Sequence, residues 1–296
     1  MHQISLRQLR TRDELLTRKR YRVNATRSVL CTIAATACAG GGSLPSVAEP
    51  TLPAAVSYAP HRAEYVALSK GRQEQQVPGG STTTEFGFRV HLTTVIDEEP
   101  GGLRITIRVD SVPEASGAGI PPSDLPRAGG TTFTGYVADN GELSDLTGGD
   151  TTIALVRQLR RAFEEFLPPI PELGAAPGAA WIDTAVSITR DAGMEIEIIS
   201  VAAHEVVGWT TYAGMDALHI TTRAEYTLSG HGSQMGQAIT IDGTGVREEH
   251  SYLGADGTYL GGWAADSSNM SALVSSLGLA FPIIQVRKDS LIYRPR

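Results

Sequence analysis

The stretch DTTIALVRQLRRAFEEFLPPIPELGAAPGAAW, residues 150–181, decides how the rest of the chain is read. Ile153, Val156, Leu159, Phe163, Phe166 and Leu167 recur at three- and four-residue spacing and form one apolar stripe. Arg157, Arg160, Arg161, Glu164 and Glu165 fall mostly on the opposite side. Arg160 with Glu164, and Arg161 with Glu165, stand at the four-residue spacing of weak ion pairs. Asp150 or Thr151 offers a side-chain oxygen to the first turn. Pro168 and Pro169 stop the helix, because proline has no N–H and clashes with the preceding turn. The spacing predicts one central amphipathic helix over residues 150–167. Such a stripe covers a sheet face or closes a cavity, and the two roles coincide when the sheet is curved.

Outward from this helix the period changes from 3.6 to 2. Phe86, Phe88, Val90 and Leu92 alternate with Glu85, Arg89, His91 and Thr93; Leu103, Ile105, Ile107 and Val109 alternate with Arg104, Thr106, Arg108 and Asp110. This is the pattern of antiparallel strands with one wet face. Strands are expected at 62–70, 82–96, 103–109, 131–138 and 142–146 before the helix. After it they are expected at 185–190, 194–204, 206–212, 217–228, 238–253, 258–264, 267–275 and 281–293. Gly71–Ser81, the Pro/Gly-rich 112–130 and the GHGSQMG segment 230–236 read as loops, and Asn140-Gly141 and Asp256-Gly257 as tight turns. The fold class is therefore mainly β (α+β), with long antiparallel strands in one or two curved sheets or half-barrels and the helix between them. GTTFTGYVADNGEL (130–143) and GTGVREEHSYLGADGTYL (243–260) share a glycine, strand, Asx-Gly, strand order. That order suggests two related halves, 61–149 and 181–296, joined by the helix and proline-rich link 150–180.

Charge and cysteine bound the function. Residues 1–38 hold eight Lys/Arg and two Asp/Glu, and the remaining seventeen basic and thirty acidic residues leave a net charge of −13. A body that acidic repels nucleic acid and anionic headgroups, so no nucleic-acid partner is expected. Cys31 and Cys38 are the only cysteines, so the body has neither a disulfide nor a thiolate metal site. RKRYR (18–22), a short apolar run SVLCTIAATA (28–37) and small residues form a secretory signal, the run being too short for the roughly 20 residues that span a bilayer. Ala35-Thr36-Ala37-Cys38 resembles the lipobox of bacterial lipoproteins, in which the cysteine becomes the lipidated first residue of the mature chain; Ala35 departs from the usual leucine. Residues 1–38 are thus read as a signal peptide with Cys38 as the lipidation site, 39–60 as a flexible tether and 61–296 as a β-rich extracytoplasmic domain. The resemblance implies an exported protein anchored by lipid on Cys38 in the bacterial envelope, with the outer membrane facing the periplasm as its address.

LPPIPELGAAPGAAW (167–181) and VVGWTTYAGMDALHITTRAEY (206–226) together resemble uncharacterised β-rich envelope lipoproteins of bacteria, a group similar to the half-barrel lipoprotein-sorting proteins. In the latter a curved sheet holds acyl chains under helices. The resemblance implies that architecture and assigns no binding residue.

The residues carry no catalytic constellation. His91, His219 and His250 lie on separate strands and converge only through folding, and His204-Glu205 point to opposite faces of one strand. No metal or cofactor is expected. Gly230–Gly236 lacks the lysine and following helix of a phosphate loop. Glu225 and Asp242 are the first carboxylates to inspect for a hydrolytic pair. Trp181, Trp209, Trp263, Tyr212 and Tyr226 either line an apolar cavity or fill the core. The leading expectation is non-enzymatic binding of a lipid or other apolar ligand. The alternatives are a structural or assembly module that binds an envelope protein, and a carboxylate-dependent hydrolase.

Overall fold

A computed structural model describes residues 52–77, 79–117, 120–191, 193–234 and 236–295, together with the backbone of 19–23. The segments expected to be signal peptide and tether, Cys38 included, lie outside the described residues apart from 19–23 and 52–60. The chain runs β1 (Lys19–Val23), β2 (His61–Val77), β3 (Gly80–Glu99), β4 (Gly102–Ser116), α1 (Asp124–Ala128), β5 (Thr132–Val137), β6 (Leu143–Gly148) and α2 (Ala154–Phe163). It continues through β7 (Ala180–Asp191), β8 (Met194–Tyr212), β9 (Met215–Gln234), β10 (Gln237–Gly254), β11 (Tyr259–Val274) and β12 (Leu279–Arg294).

All strands join one antiparallel sheet that does not close, in the order β1-β7-β8-β9-β10-β11-β12-β2-β3-β4-β5-β6. Each strand from β7 to β12 pairs with the next in sequence, and so does each from β2 to β6. The two runs meet where β12 pairs with β2, for example Ile292 against Val66. Sequence leaves open one sheet or two, and the fold is one. Among the described residues no helix is long and apolar enough to cross a membrane.

The strands are longer than their sequence patterns suggest. The expected loop at 71–81 is strand up to Val77, which pairs with Gly80. Gln73 and Gln75 oppose Thr84 and Thr82 there, a polar pairing without apolar alternation to announce it. The expected glycine-rich turn at 230–236 is likewise strand to Gln234, with Gly232 facing Met194 and Ala238 facing Ser233. Two expected breaks are absent. Residues 194–212 form one strand with a bulge between Val206 and Gly208, and 259–274 form another. The Pro/Gly-rich 112–130 holds the end of β4 and the short α1.

The central helix is shorter than expected, ten residues from Ala154 to Phe163. Asp150 does not cap it; its carboxylate accepts from the backbone N–H of Thr152 at 3.0 Å and so shapes the turn before it. Beyond Phe163 a turn closed by the Phe166 N–H on the Phe163 carbonyl swings Phe166 and Leu167 inward, both buried. Of the expected stripe, Val156, Leu159 and Phe163 within the helix are buried, and Leu155, which the spacing does not include, is buried with them. Phe163 meets Phe133 and Phe166 edge-on at 5.4 and 6.2 Å, and Phe166 meets Tyr65 at 5.6 Å and Tyr259 at 5.9 Å. The Tyr65 hydroxyl donates to the Tyr259 carbonyl at 2.5 Å and ties β2 to β11.

Within residues 52–60, expected to be tether by composition, Val56 and Tyr58 are buried in the core. Val56 exchanges two backbone bonds of 2.8 Å with Ala175, and the buried Tyr58 donates to the Pro168 carbonyl at 2.6 Å. Two inward apolar side chains outweigh a Pro/Ala-rich neighbourhood, because each gives an otherwise polar link something to bury.

Candidate functional site

Register places one row of side chains across nine strands on the concave face: Trp181, His204, Thr222, Glu249, Ala264, Asp289, Ser69, Phe88 and Ala115. The next row away from the helix reads Asp183, Ala202, Ala224, Arg247, Asp266, Arg287, Gly71 and Phe86. On a flat sheet β7 and β4 would stand about 38 Å apart, eight spacings of about 4.8 Å. Residues of both strands, Trp181 and Ala115 among them, line a single cavity of about 1710 Å³. The sheet must therefore curl so that its two flanks face one another. A second cavity of about 800 Å³ lies beside α2, walled by Leu159, Phe163, Phe166, Val90 and Leu92. Ser69, Phe88, Arg247 and Arg287 border both cavities, so the two adjoin.

The sequence keeps the cavity floor low. Gly71 is required because the Phe86 ring crosses it; a Cβ there would lie 2.2 Å from the ring. Gly245 is required beneath the Tyr226 ring for the same reason, at 2.3 Å. Ala202 and Ala224 continue this low floor across β8 and β9.

Five charges stand in the middle of it. Arg247 pairs with Glu249 at 3.1 Å and lies 3.8 Å from Asp289; Arg287 lies 3.0 Å from Asp289. Asp266 sits between the two arginines in register and accepts the Tyr226 hydroxyl at 2.9 Å. Glu249 also accepts from the Ser251 hydroxyl at 3.0 Å. Burial opposes the charge of Arg247, but Glu249, Glu165 and Asp289 more than offset it, and the guanidinium is held protonated more firmly than usual. Burial and Asp266 push the Tyr226 hydroxyl up to about 12.

At the β7 side His204 is fixed from three directions. Its Nδ1 lies 2.8 Å from the Thr222 hydroxyl, its Nε2 lies 3.3 Å from Asp183, and the Trp181 ring stacks on it at 4.9 Å. His204 and Asp183 are both buried. Asp183, His204 and Thr222 thus stand in an acid–imidazole–hydroxyl order, in which the His204 Nε2 and the adjoining Trp181 Nε1 are buried without an aligned hydrogen-bond partner, and the cluster reads as a polar part of the wall.

The other residues singled out from sequence fall elsewhere. Glu225 and Asp242 project from the convex face, so neither meets a second carboxylate in the cavity. Among the histidines His219 and His250 do converge, 2.9 Å apart, also on the convex face, while His91 remains alone on β3. There Trp263, His250, His219, Tyr252 and Tyr212 stack in one continuous pile, with centroid spacings of 4.2, 5.1, 5.0 and 3.8 Å. Burial, then the neighbouring His250, lowers the affinity of His219 for protons. Among the described residues no cluster of His, Cys, Asp and Glu could hold a metal ion. Trp181 lines the larger cavity, Tyr226 lies on the concave face, and Trp209 packs against the core. The five central charges were missed from sequence. The only signal is that residues 247–251 of β10 and 287–290 of β12 are polar on both faces.

No protein family, no curated protein and no solved structure matches the chain.

Proposed function

We propose that this chain is an exported lipoprotein, anchored by lipid on Cys38, which binds a lipid or other apolar ligand without catalysis. The observation that carries the reading is the unclosed sheet whose flanks β4 and β7 share one cavity of about 1710 Å³. That volume exceeds the roughly 300–1,000 Å³ of ordinary small-molecule pockets, so it suits an extended molecule. The adjoining space beside α2, walled by Leu159, Phe163 and Phe166, supplies an apolar end for it. The likeness of residues 167–181 and 206–226 to half-barrel lipoprotein-sorting proteins points the same way.

A second reading, a protein-docking module, draws on the stacked rings of the convex face, where Trp263 is 42% exposed. Around them the exposed Val201, Val246 and Val286 are separated by Glu225 and Ser267, so no broad apolar patch forms.

The test is to express the full chain carrying Cys38→Ala with export to a bacterial periplasm and to compare native with denaturing mass spectra. A co-purifying mass of lipid size, lost on denaturation, is expected. A bare, monodisperse mass that also takes up no added lipid would overturn ligand binding and favour the docking module.

A further inference from the structure

We propose that the cavity selects amphiphiles with an uncharged, hydroxyl-bearing head group, such as a glycerol or a sugar, over anionic amphiphiles. This rests on the reading above and names the class of ligand and its orientation.

The argument begins with charge. In the two central rows Arg247 and Arg287 face three carboxylates, Glu249, Asp289 and Asp266. Both cations are already committed to carboxylates, and these five charges carry one negative charge in excess. A carboxylate or phosphate arriving there meets no uncompensated cation and three like charges. A buried charge without a partner is far more costly than a buried hydrogen-bonded neutral group.

Hydrogen-bonding capacity points to what does fit. The Arg287 Nε is buried without an aligned acceptor although Asp289 lies 3.0 Å away, so a donor remains to be used. The carboxylates beside it accept. A hydroxyl both donates and accepts and can bridge such neighbours. The following row toward the open end, Ser268, Gln285, Gln73 and Thr84, continues with uncharged hydroxyls and amides. Gln285, Gln73 and Thr84 border the smaller cavity, whose other end is the apolar wall of Leu159, Phe163 and Phe166. The geometry therefore orients an amphiphile with its chain beside α2 and its polar end over β10–β12.

The experiment measures displacement of a bound fluorescent apolar dye from the full chain carrying Cys38→Ala. Monoolein and oleate have the same chain and differ at the head. At about pH 8, well above the carboxylate range, monoolein is expected to bind at least tenfold more tightly than oleate. Asp266→Asn removes the excess charge, leaves an oxygen for the Tyr226 hydroxyl, and is expected to narrow that ratio at least threefold by improving oleate. Equal affinities, or tighter oleate, would overturn the selectivity. A preference untouched by Asp266→Asn would overturn its assignment to the central charges. Failure of both lipids and of the dye to bind removes the ligand-binding reading itself, an outcome distinct from either.

Discussion

The concave face has two regions that share the same strands and differ in almost everything else. Beneath α2 it is aliphatic and aromatic: Tyr65, Leu92, Ile107 and Phe133 are essentially inaccessible to water. Beyond α2 it is glycine, alanine and paired charge, and it lines an open cavity of about 1710 Å³. Length explains the division. A ten-residue helix spans about 15 Å. A twenty-residue strand such as β9 extends about 66 Å. One helix cannot cover such strands, so the sequence has to make the uncovered part tolerable to water. It does so with small residues, which leave little apolar surface, and with arginine–carboxylate pairs. The lesson is that packed core and open cavity are separated along each strand rather than between domains.

The sharpest way to break this comparison is to damage the covered region. Phe166 sits among Phe163, Tyr65 and Tyr259, so Phe166→Ala removes a ring from a closed aromatic cluster. It is expected to cost about 3–5 kcal/mol, read as a lower urea midpoint, since such a site collapses poorly. A loss comparable to an ordinary surface change would mean that α2 and its following turn are not part of the cooperative core.

Removing Arg247 is expected to cost less. Its side chain is a quarter exposed, so the penalty for stranding Glu249 and Asp289 is partly screened. Arg247→Met should lower stability by about 2 kcal/mol, below the range for a fully buried pair. If it equals or exceeds Phe166→Ala, the open region is a structural core in its own right and the division fails.

How far this division is legible in the sequence depends on whether the two faces of a strand differ. In β4, Leu103, Ile105, Ile107 and Val109 alternate with Arg104, Thr106 and Arg108, and both strand and buried face could be read. Asn140-Gly141 and Asp256-Gly257 marked their turns through residues that tolerate positive φ, as Gly257 at 84° illustrates. In β10 the inward Arg247, Glu249 and Ser251 face away from Val246, Glu248 and His250, and composition does not tell in from out. The same loss of contrast hid the strand character of 71–77 and 229–234. The helix was legible because its stripe is packed. The charged belt was not, because register alone brings residues 247, 266 and 287 together.

A third test enlarges a residue in the open region. Ala115 lines the cavity on β4, opposite Trp181 on β7. Ala115→Phe should cut uptake of a lipid probe at least fivefold while changing stability by no more than about 0.5 kcal/mol. A large loss of stability with unchanged uptake would place Ala115 in the packed region and the ligand elsewhere.

The smallest expected effect concerns pH, and it should leave the open region untouched. Burial lowers the proton affinity of His61, against the pull of the Ala59 carbonyl that its Nδ1 contacts at 2.7 Å, and burial followed by His250 lowers that of His219. A histidine with a depressed folded pKa takes up its proton more readily when unfolded. Its contribution is therefore neutral well above the ordinary value of 6.5 and becomes destabilising as pH falls through and below it. The urea midpoint should fall modestly between about pH 7.5 and 5.5, and His61→Asn with His219→Gln should flatten that slope. His61 belongs to the covered region and His219 to the convex face, so lipid uptake per folded molecule should not follow the same curve. If uptake and stability titrate together, the two regions are coupled after all, and protonation outside the cavity reaches the ligand through the strands they share.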